Sequence, residues 1–307
     1  VEDREDEGYP VWEDYEAVQR STYFFDRQGE LIYQFNITTL DPENAEDYSY
    51  FINLILDFRA NNGPNVLRVS EDYISIQNAI ENAVNGDIIL VEPGVYYERI
   101  SFLDKNISLV ALPYSGYEDN TSGSVVLDGE GQGSVVTINN GQDQSSILLG
   151  FEIQNGYSPD YGGGILIENS SPTIDRNVIH NNTAGNCGGS GGGIAVLGSS
   201  YPYIFGNEIF DNTVQGDCDC ICYFGGGIYV DSLAWPILGG STTIGNIFYD
   251  NYADKGEELY KNFSADSYVW DQIYAHHNYF EECPPDSIDV YPLSAWDLEH
   301  CHSIDLV

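Results

Sequence analysis

The chain is 307 residues long, with 49 Asp and Glu against 10 Lys and Arg, a net charge of −39, and it carries 32 Gly, 24 Tyr, 6 Cys and no Met. A protein that grips nucleic acid needs Lys and Arg to release counterions from phosphates, so this charge excludes nucleic acid as a partner and disfavours anionic membrane surfaces. No stretch reaches the roughly 20 apolar residues that span a bilayer, while a hydrophobic content of 42 % suffices for a sizeable core.

The first 16 residues hold eight acids and one base, Arg4, and read as a solvated acidic tail. The chain opens on Val1 with no Met and no charged-then-apolar leader, which reads as an extracellular or cell-surface protein after removal of a signal peptide. Residues 31–39 alternate Leu31, Tyr33, Phe35 and Ile37 with more polar neighbours, a strand signal. Residues 49–59 offer a partner strand across the intervening DPENAED turn, or a helix by the spacing of Phe51, Leu54, Ile55 and Phe58. Residues 74–84 place Ile76, Ala79, Ile80 and Ala83 on one face and end near Asn85-Gly86, as a short amphipathic helix does. Short β-rich runs punctuated by Gly, Asn or Pro follow.

Two interleaved repeats then organise the chain. NVIHNN at 177–182, NEIFDN at 207–212, NIFYDN at 246–251 and NYFEEC at 278–283 form one; GGGILIENS at 162–170, GGGIAVLGS at 191–199 and GGGIYVDSL at 225–233 form the other. Unequal spacing with constant motifs means a fixed strand plan with loops of variable length, which is a solenoid. Inward Ile, Val, Leu and Phe from successive rungs build the core, Asn at a fixed position bonds its neighbours through the side-chain amide, and Gly supplies the positive φ of sharp corners. The expected fold is therefore an all-β parallel β-helix with a short capping helix and an extra N-terminal strand. Three segments are expected: 1–65 with the acidic tail and strand, 66–283 as the β-helix, and 284–307 as a disulfide-tethered end.

Six cysteines fit three disulfides in an oxidising compartment. Loops 183–191 and 213–225 occupy the same place in adjacent rungs, which makes Cys187 a neighbour of Cys218, Cys220 and Cys222, with the connectivity open and a four-thiolate metal site as the alternative. Cys283 and Cys301 form the third pair. Asn-x-Ser/Thr acceptors stand at Asn36, Asn106, Asn120, Asn169, Asn181 and Asn262.

The order SIQNAIENA, GDIILVEPGVYYERISFLDKNISLVAL, SVVLDGEGQGSVVTI and the Asn-x-Ile rungs resembles the right-handed parallel β-helix superfamily that includes pectate lyases, pectinesterases and polygalacturonases. That resemblance implies the fold over 66 to about 283. Enzymes of the polygalacturonase type carry an Asp-Asp pair for general acid and base work, and this chain has no Asp-Asp dipeptide. Pectinesterases keep separated aspartates and an arginine on adjacent rungs, for which Asp175 and Arg176 are the candidates; the rival reading of that pair is a surface ion pair. YAHHNYFEECPP resembles the His-His-Asn-x-Phe segment of pectate lyases, making His277 a candidate, yet no Lys or Arg follows from Ile273 to Val307 to act as the base. Acidic loops such as ADKGEEL, EDN and GDCDC are candidates for Ca²⁺.

The expected role is that of a non-catalytic extracellular structural or adhesive protein that self-associates into a filament or array. Its joint is the N-terminal segment, with Leu31, Tyr33, Phe35 and Ile37 docking on a neighbouring subunit or folding back on their own β-helix. The alternative is a polysaccharide-binding or polysaccharide-active protein, a lyase or hydrolase of acidic glycans, for which extracellular glycans are the partners.

Overall fold

The computed structural model describes residues 21–25, 31–36, 64–112, 124–185, 188–216, 223–239, 245–262, 273–281, 283, 285–286, 288–292, 296–298 and 301–304, the first two stretches by backbone alone. The acidic tail, the run at 49–59, Ile37, Asn120, the four clustered cysteines and the Asn36 side chain lie outside these residues. The chain divides into two compact units, Val1–Asn65 and Val66–Val307.

In the first unit the expected strand is present as Leu31–Asn36, and its partner is Ser21–Phe25, antiparallel, rather than a strand from 49–59. The STYFF run ahead of DRQGE supplies the other arm of this hairpin. The register skips Ile32, between the pairs Phe24–Tyr33 and Phe25–Leu31, so a bulge interrupts the period-two alternation of Leu31, Tyr33 and Phe35.

Every strand pair named within the second unit is parallel, in three long sheets of seven, eight and seven strands among the described residues. The first runs from Val66–Val69 to Ile237–Leu238, the second from Gly94–Tyr96 to His302–Ser303, the third from Ile100–Ser101 to Val290–Tyr291. A small fourth sheet, Tyr157–Ser158, Thr183–Gly185 and Thr213–Gln215, lies between the second and third in chain order. Strands persist past residue 283, so the C-terminal segment completes the last rungs of the same solenoid.

The alternation of apolar residues becomes columns along the axis. Ile89, Leu109, Leu148, Ile174, Ile204 and Leu238 stand in register and fully buried in the first sheet. Leu127, Ile153, Ile179, Ile209 and Phe248 do so in the second, and Val136, Ile165, Ile194, Ile228, Leu259 and Val290 in the third. One rung buries nothing alone; each apolar side chain finds cover only from the rungs above and below.

The first rungs carry the helix Ile76–Asn82, shorter than the 74–84 expected, with Ile76, Ala79 and Ile80 buried. Its ends are satisfied by charged side chains. The Glu98 carboxylate accepts from Ile76 N and Gln77 N, both at 3.0 Å, while Ser75 Oγ accepts from Asn78 N at 3.1 Å. At the other end Lys105 Nζ donates to the Ile80 and Glu81 carbonyls, both at 2.7 Å. An acid at the N-terminus and a base at the C-terminus also match the helix dipole.

Candidate functional site

The repeated asparagines form two buried ladders. In the first, Asn177 Nδ2 donates to Asn207 Oδ1, Asn207 to Asn246 and Asn246 to Asn278, at 3.0, 3.0 and 2.9 Å, across 30, 39 and 32 residues of chain. In the second, Asn182 donates to Asn212 and Asn212 to Asn251, both at 3.0 Å. Each Oδ1 also accepts the backbone N–H of the preceding ladder residue, as in Asn182 N to Asn212 at 3.1 Å. The third glycine of each GGG makes room for this: a Cβ on Gly193 would stand 3.1 Å from Asn212 Nδ2 and 2.6 Å from the Gly227 carbonyl.

The second ladder ends through a pair of coupled changes. Cys283 holds the motif position that Asn182, Asn212 and Asn251 hold earlier, and is joined to Cys301 in a disulfide. Glu258, in register with Gly227 beside the paired Ile228 and Leu259, turns its carboxylate to the vacated acceptor place. Its Oε2 accepts from Asn251 Nδ2 at 2.5 Å, and the Asn251 backbone N–H bonds it too. Glu258 is 6 % exposed, and burial pushes its carboxyl well above the ordinary range against the lowering effect of Asn251.

One rung position also breaks the apolar pattern. Lys261 continues the inward column Ile138, Ile167, Val196, Val230 and is 1 % exposed. Its ammonium donates to the carbonyls of Asp231, Ser232 and Ala234 at 2.5, 3.2 and 2.8 Å and lies 4.6 Å from the Trp235 ring centroid. Burial pushes it down to about 8, although Asp231 acts to raise it. It fixes the loop 231–235.

The three residues singled out from sequence do not converge. Arg176 and His277 both sit at the left-handed corner before a ladder asparagine, with φ of 51° and 60°. Asn177 and Asn278 are three ladder steps apart, roughly 14 Å at the usual strand spacing. Arg176 Nη1 pairs with Asp175 Oδ2 at 2.7 Å, where the Arg176 side chain is 41 % exposed. Asp175 is buried, its Oδ1 has no hydrogen-bond partner among the described residues, and burial raises its carboxyl against the lowering effect of Arg176. Among the glycan acceptors, Asn169 and Asn181 are exposed, while Asn106 accepts from Asp143 N and Ser146 Oγ, and Asn262 bonds Tyr229. No group of three or more His, Cys, Asp or Glu among the described residues is placed to hold a metal ion, and none of the described helices is long and apolar enough to cross a membrane.

Outward positions carry axial stacks. His180, Phe210 and Tyr249 follow one another in the second sheet, with ring centroids 5.0 and 4.7 Å apart and planes within 5°. His180 Nε2 meets Glu152 Oε1 at 3.1 Å, and Tyr249 donates to Glu208 Oε1 at 2.6 Å. Tyr229, Tyr260 and Tyr291 stack likewise on the third sheet, with Lys255 over Tyr291. These faces cover one another, so the stacks present ring edges outward.

A polar cleft opens at the N-terminal rungs. One part, about 230 Å³, is lined by Tyr97, Glu98, Arg99, Asp128, Glu130 and Gln132; the other, about 460 Å³, by Asp128, Glu130, Asn155, Tyr157, Asn181 and Thr183. The buried Asp128 carboxylate accepts from Glu130 N, Gln154 Nε2 and Asn155 Nδ2 at 2.9, 3.0 and 2.7 Å. Sequence reading missed the cleft, because its parts come from four different rungs, and missed Glu258 and Lys261 as well. The GEEL that replaces GGGI and the Cys that replaces Asn were the visible signals for Glu258.

A family model described as the right-handed beta helix region matches residues 118–301, more than half of the chain. No curated protein and no solved structure gives a significant match. The parallel three-sheet topology and the matched span agree, and the chain belongs to the right-handed β-helix family.

Proposed function

We propose that this member of the right-handed β-helix family is a non-catalytic extracellular structural or adhesive protein that self-associates through its N-terminal segment and the last rungs of its solenoid. The observation that carries this reading is the direction of its outward chemistry: His180, Phe210, Tyr249 and the tyrosine stack bond along the axis instead of converging on a point. Catalysis needs groups gathered around one reacting centre, and Asp175–Arg176 and His277 stand three rungs apart. Axial ladders repeat a contact every rung, which favours length and stiffness.

The two ends of the solenoid support asymmetric contacts. The helix Ile76–Asn82 packs on the first strands, while Val290–Tyr291 and His302–Ser303 are the last strands of their sheets among the described residues. Open edges pair with other strands, and the paired strands Ser21–Phe25 and Leu31–Asn36 offer such a strand. A net charge of −39 keeps the sides of neighbouring solenoids apart and leaves end contacts as the favoured mode.

Negative-stain electron microscopy of the full chain beside a chain lacking residues 1–65 tests the reading. Regular filaments or arrays from the full chain that vanish in the shortened one are expected. Uniform single particles from both, at every salt and Ca²⁺ concentration tried, would overturn it.

A further inference from the structure

We propose that the tyrosine column on the third sheet is a site of oxidative cross-linking, at which a peroxide-driven one-electron oxidant joins Tyr260 to Tyr291 as dityrosine. Tyr229, Tyr260 and Tyr291 stand in register on successive rungs, with neighbouring ring centroids 5.7 Å apart and planes within 11°. Tyr229 is buried and bonds Asn262, whereas Tyr260 and Tyr291 are half-buried, and neither of their hydroxyls makes a hydrogen bond among the described residues. Phenylalanine would stack there as well, so stacking alone does not account for the two phenols. Tyr291 lies on the last strand of its sheet among the described residues and ends the ring column, with Lys255 Nζ 4.6 Å from its ring centroid.

The rest of the chain leaves an oxidant few other targets. Exposed thiols and thioethers are common sites of oxidation, yet the chain has 24 Tyr and no Met, and no cysteine among the described residues is free. Of the described tryptophans, Trp296 is buried and Trp235 lies beneath Lys261. The net charge of −39 opposes encounters between chains, so a tyrosyl radical finds its partner within its own column, where the neighbour is held in place. The stack of His180, Phe210 and Tyr249 has similar geometry but a single phenol, and cannot couple. In the reaction the oxidant takes one hydrogen atom from each phenolic O–H, and the two phenoxyl radicals, whose spin density reaches the ring carbons ortho to oxygen, form one Cε–Cε bond. The two ortho hydrogens move to the oxygens and restore both phenols, while the two hydrogen atoms removed reduce one H₂O₂ to two waters. The product is a covalent clasp between two rungs at the end that the Cys283–Cys301 disulfide also ties, and it does not depend on self-association.

The test treats the full chain at low concentration with a haem peroxidase and limiting H₂O₂, and reads dityrosine fluorescence, chain size on denaturing gels and peptide masses. Dityrosine is expected in single-chain material, in a joined pair of peptides that contains Tyr260 and Tyr291 and has lost two hydrogens. Tyr260→Phe and Tyr291→Phe, which keep the rings stacked, are each expected to lower single-chain dityrosine about tenfold, the advantage of a partner held in place, with Tm before oxidation unchanged. Tyr97→Phe, which removes a more open phenol at 65 % exposure, is expected to react as the parent does. Three results would each overturn the proposal: no dityrosine at any peroxide concentration, dityrosine confined to cross-linked multimers, or single-chain dityrosine that survives both column variants.

Discussion

From residue 147 to 251 the solenoid repeats one chemistry; from 255 to 303 it keeps the same backbone and changes three of the side chains that define it. In the middle rungs Asn182, Asn212 and Asn251 succeed one another, glycine stands beside each amide, and apolar residues fill every inward column. In the last rungs cysteine holds the asparagine position, glutamate the glycine position, and lysine an inward one. The changes compensate each other. Where the asparagine is lost, the glycine that would have cleared its amide is free to become Glu258, whose carboxyl takes over as acceptor for Asn251. A rung is thus a set of coupled positions.

The sharpest break in the comparison is expected in the middle. Asn212→Ala removes the acceptor of Asn182 N, one of the three acceptors of Asn182 Nδ2, and the side-chain donor to the Ile179 and Phe210 carbonyls. A loss of about 3–4 kcal/mol in urea unfolding is expected, since each buried polar group left unsatisfied costs about 1–3 kcal/mol. At the end of the solenoid, replacing Cys283 and Cys301 together by Ser opens a bridge of sequence separation 18, expected to lower stability by about 2–3 kcal/mol by denaturant titration. Glu258→Leu removes the acceptor from Asn251 and is expected to cost about 2 kcal/mol, whereas Glu258→Gln, which keeps an oxygen there, stays within about 0.5 kcal/mol of the parent at pH 4.

Two smaller effects depend on pH. Burial holds the folded Glu258 carboxyl well above its ordinary 4.5, so the unfolded chain gives up that proton first. Its contribution is complete below about 4.5 and declines as pH rises toward the folded value. The stability of Glu258→Gln relative to the parent should therefore increase with pH; a difference that stays flat between pH 4 and 8 would show that the buried carboxyl does not titrate as described. Lys261 behaves in the opposite sense. Its folded value of about 8 lies below the ordinary 10.5, the unfolded chain holds the proton longer, and the parent gains stability between those values relative to Lys261→Met. Thermal melts across pH 7–11 read that difference.

The fold was legible because its signals are periodic. Asn177, Asn207, Asn246 and Asn278 carry the ladder spacing of 30, 39 and 32 residues directly in the sequence, and the face Ile76, Ala79, Ile80 marks the cap helix. Functional features were less legible, because they depend on which rungs become neighbours. Arg176 and His277 looked like separate motifs, yet they occupy one corner position of different rungs. Arg99, Glu130 and Tyr157 belong to no motif and meet only because a rung returns the chain to the same wall. Lys261 was hidden by its inward placement, which the strand register alone reveals.

The coupling of rung positions is tested most directly by a double-mutant cycle in a Cys301→Ser background, which removes the disulfide from the comparison. Cys283→Asn should destabilise the chain while Glu258 fills the space of the new amide. The same change should stabilise it once Glu258→Gly has cleared that space, with an interaction energy of about 1 kcal/mol or more. Strictly additive effects of the two substitutions would contradict the account, because the glycine and asparagine positions would then be independent.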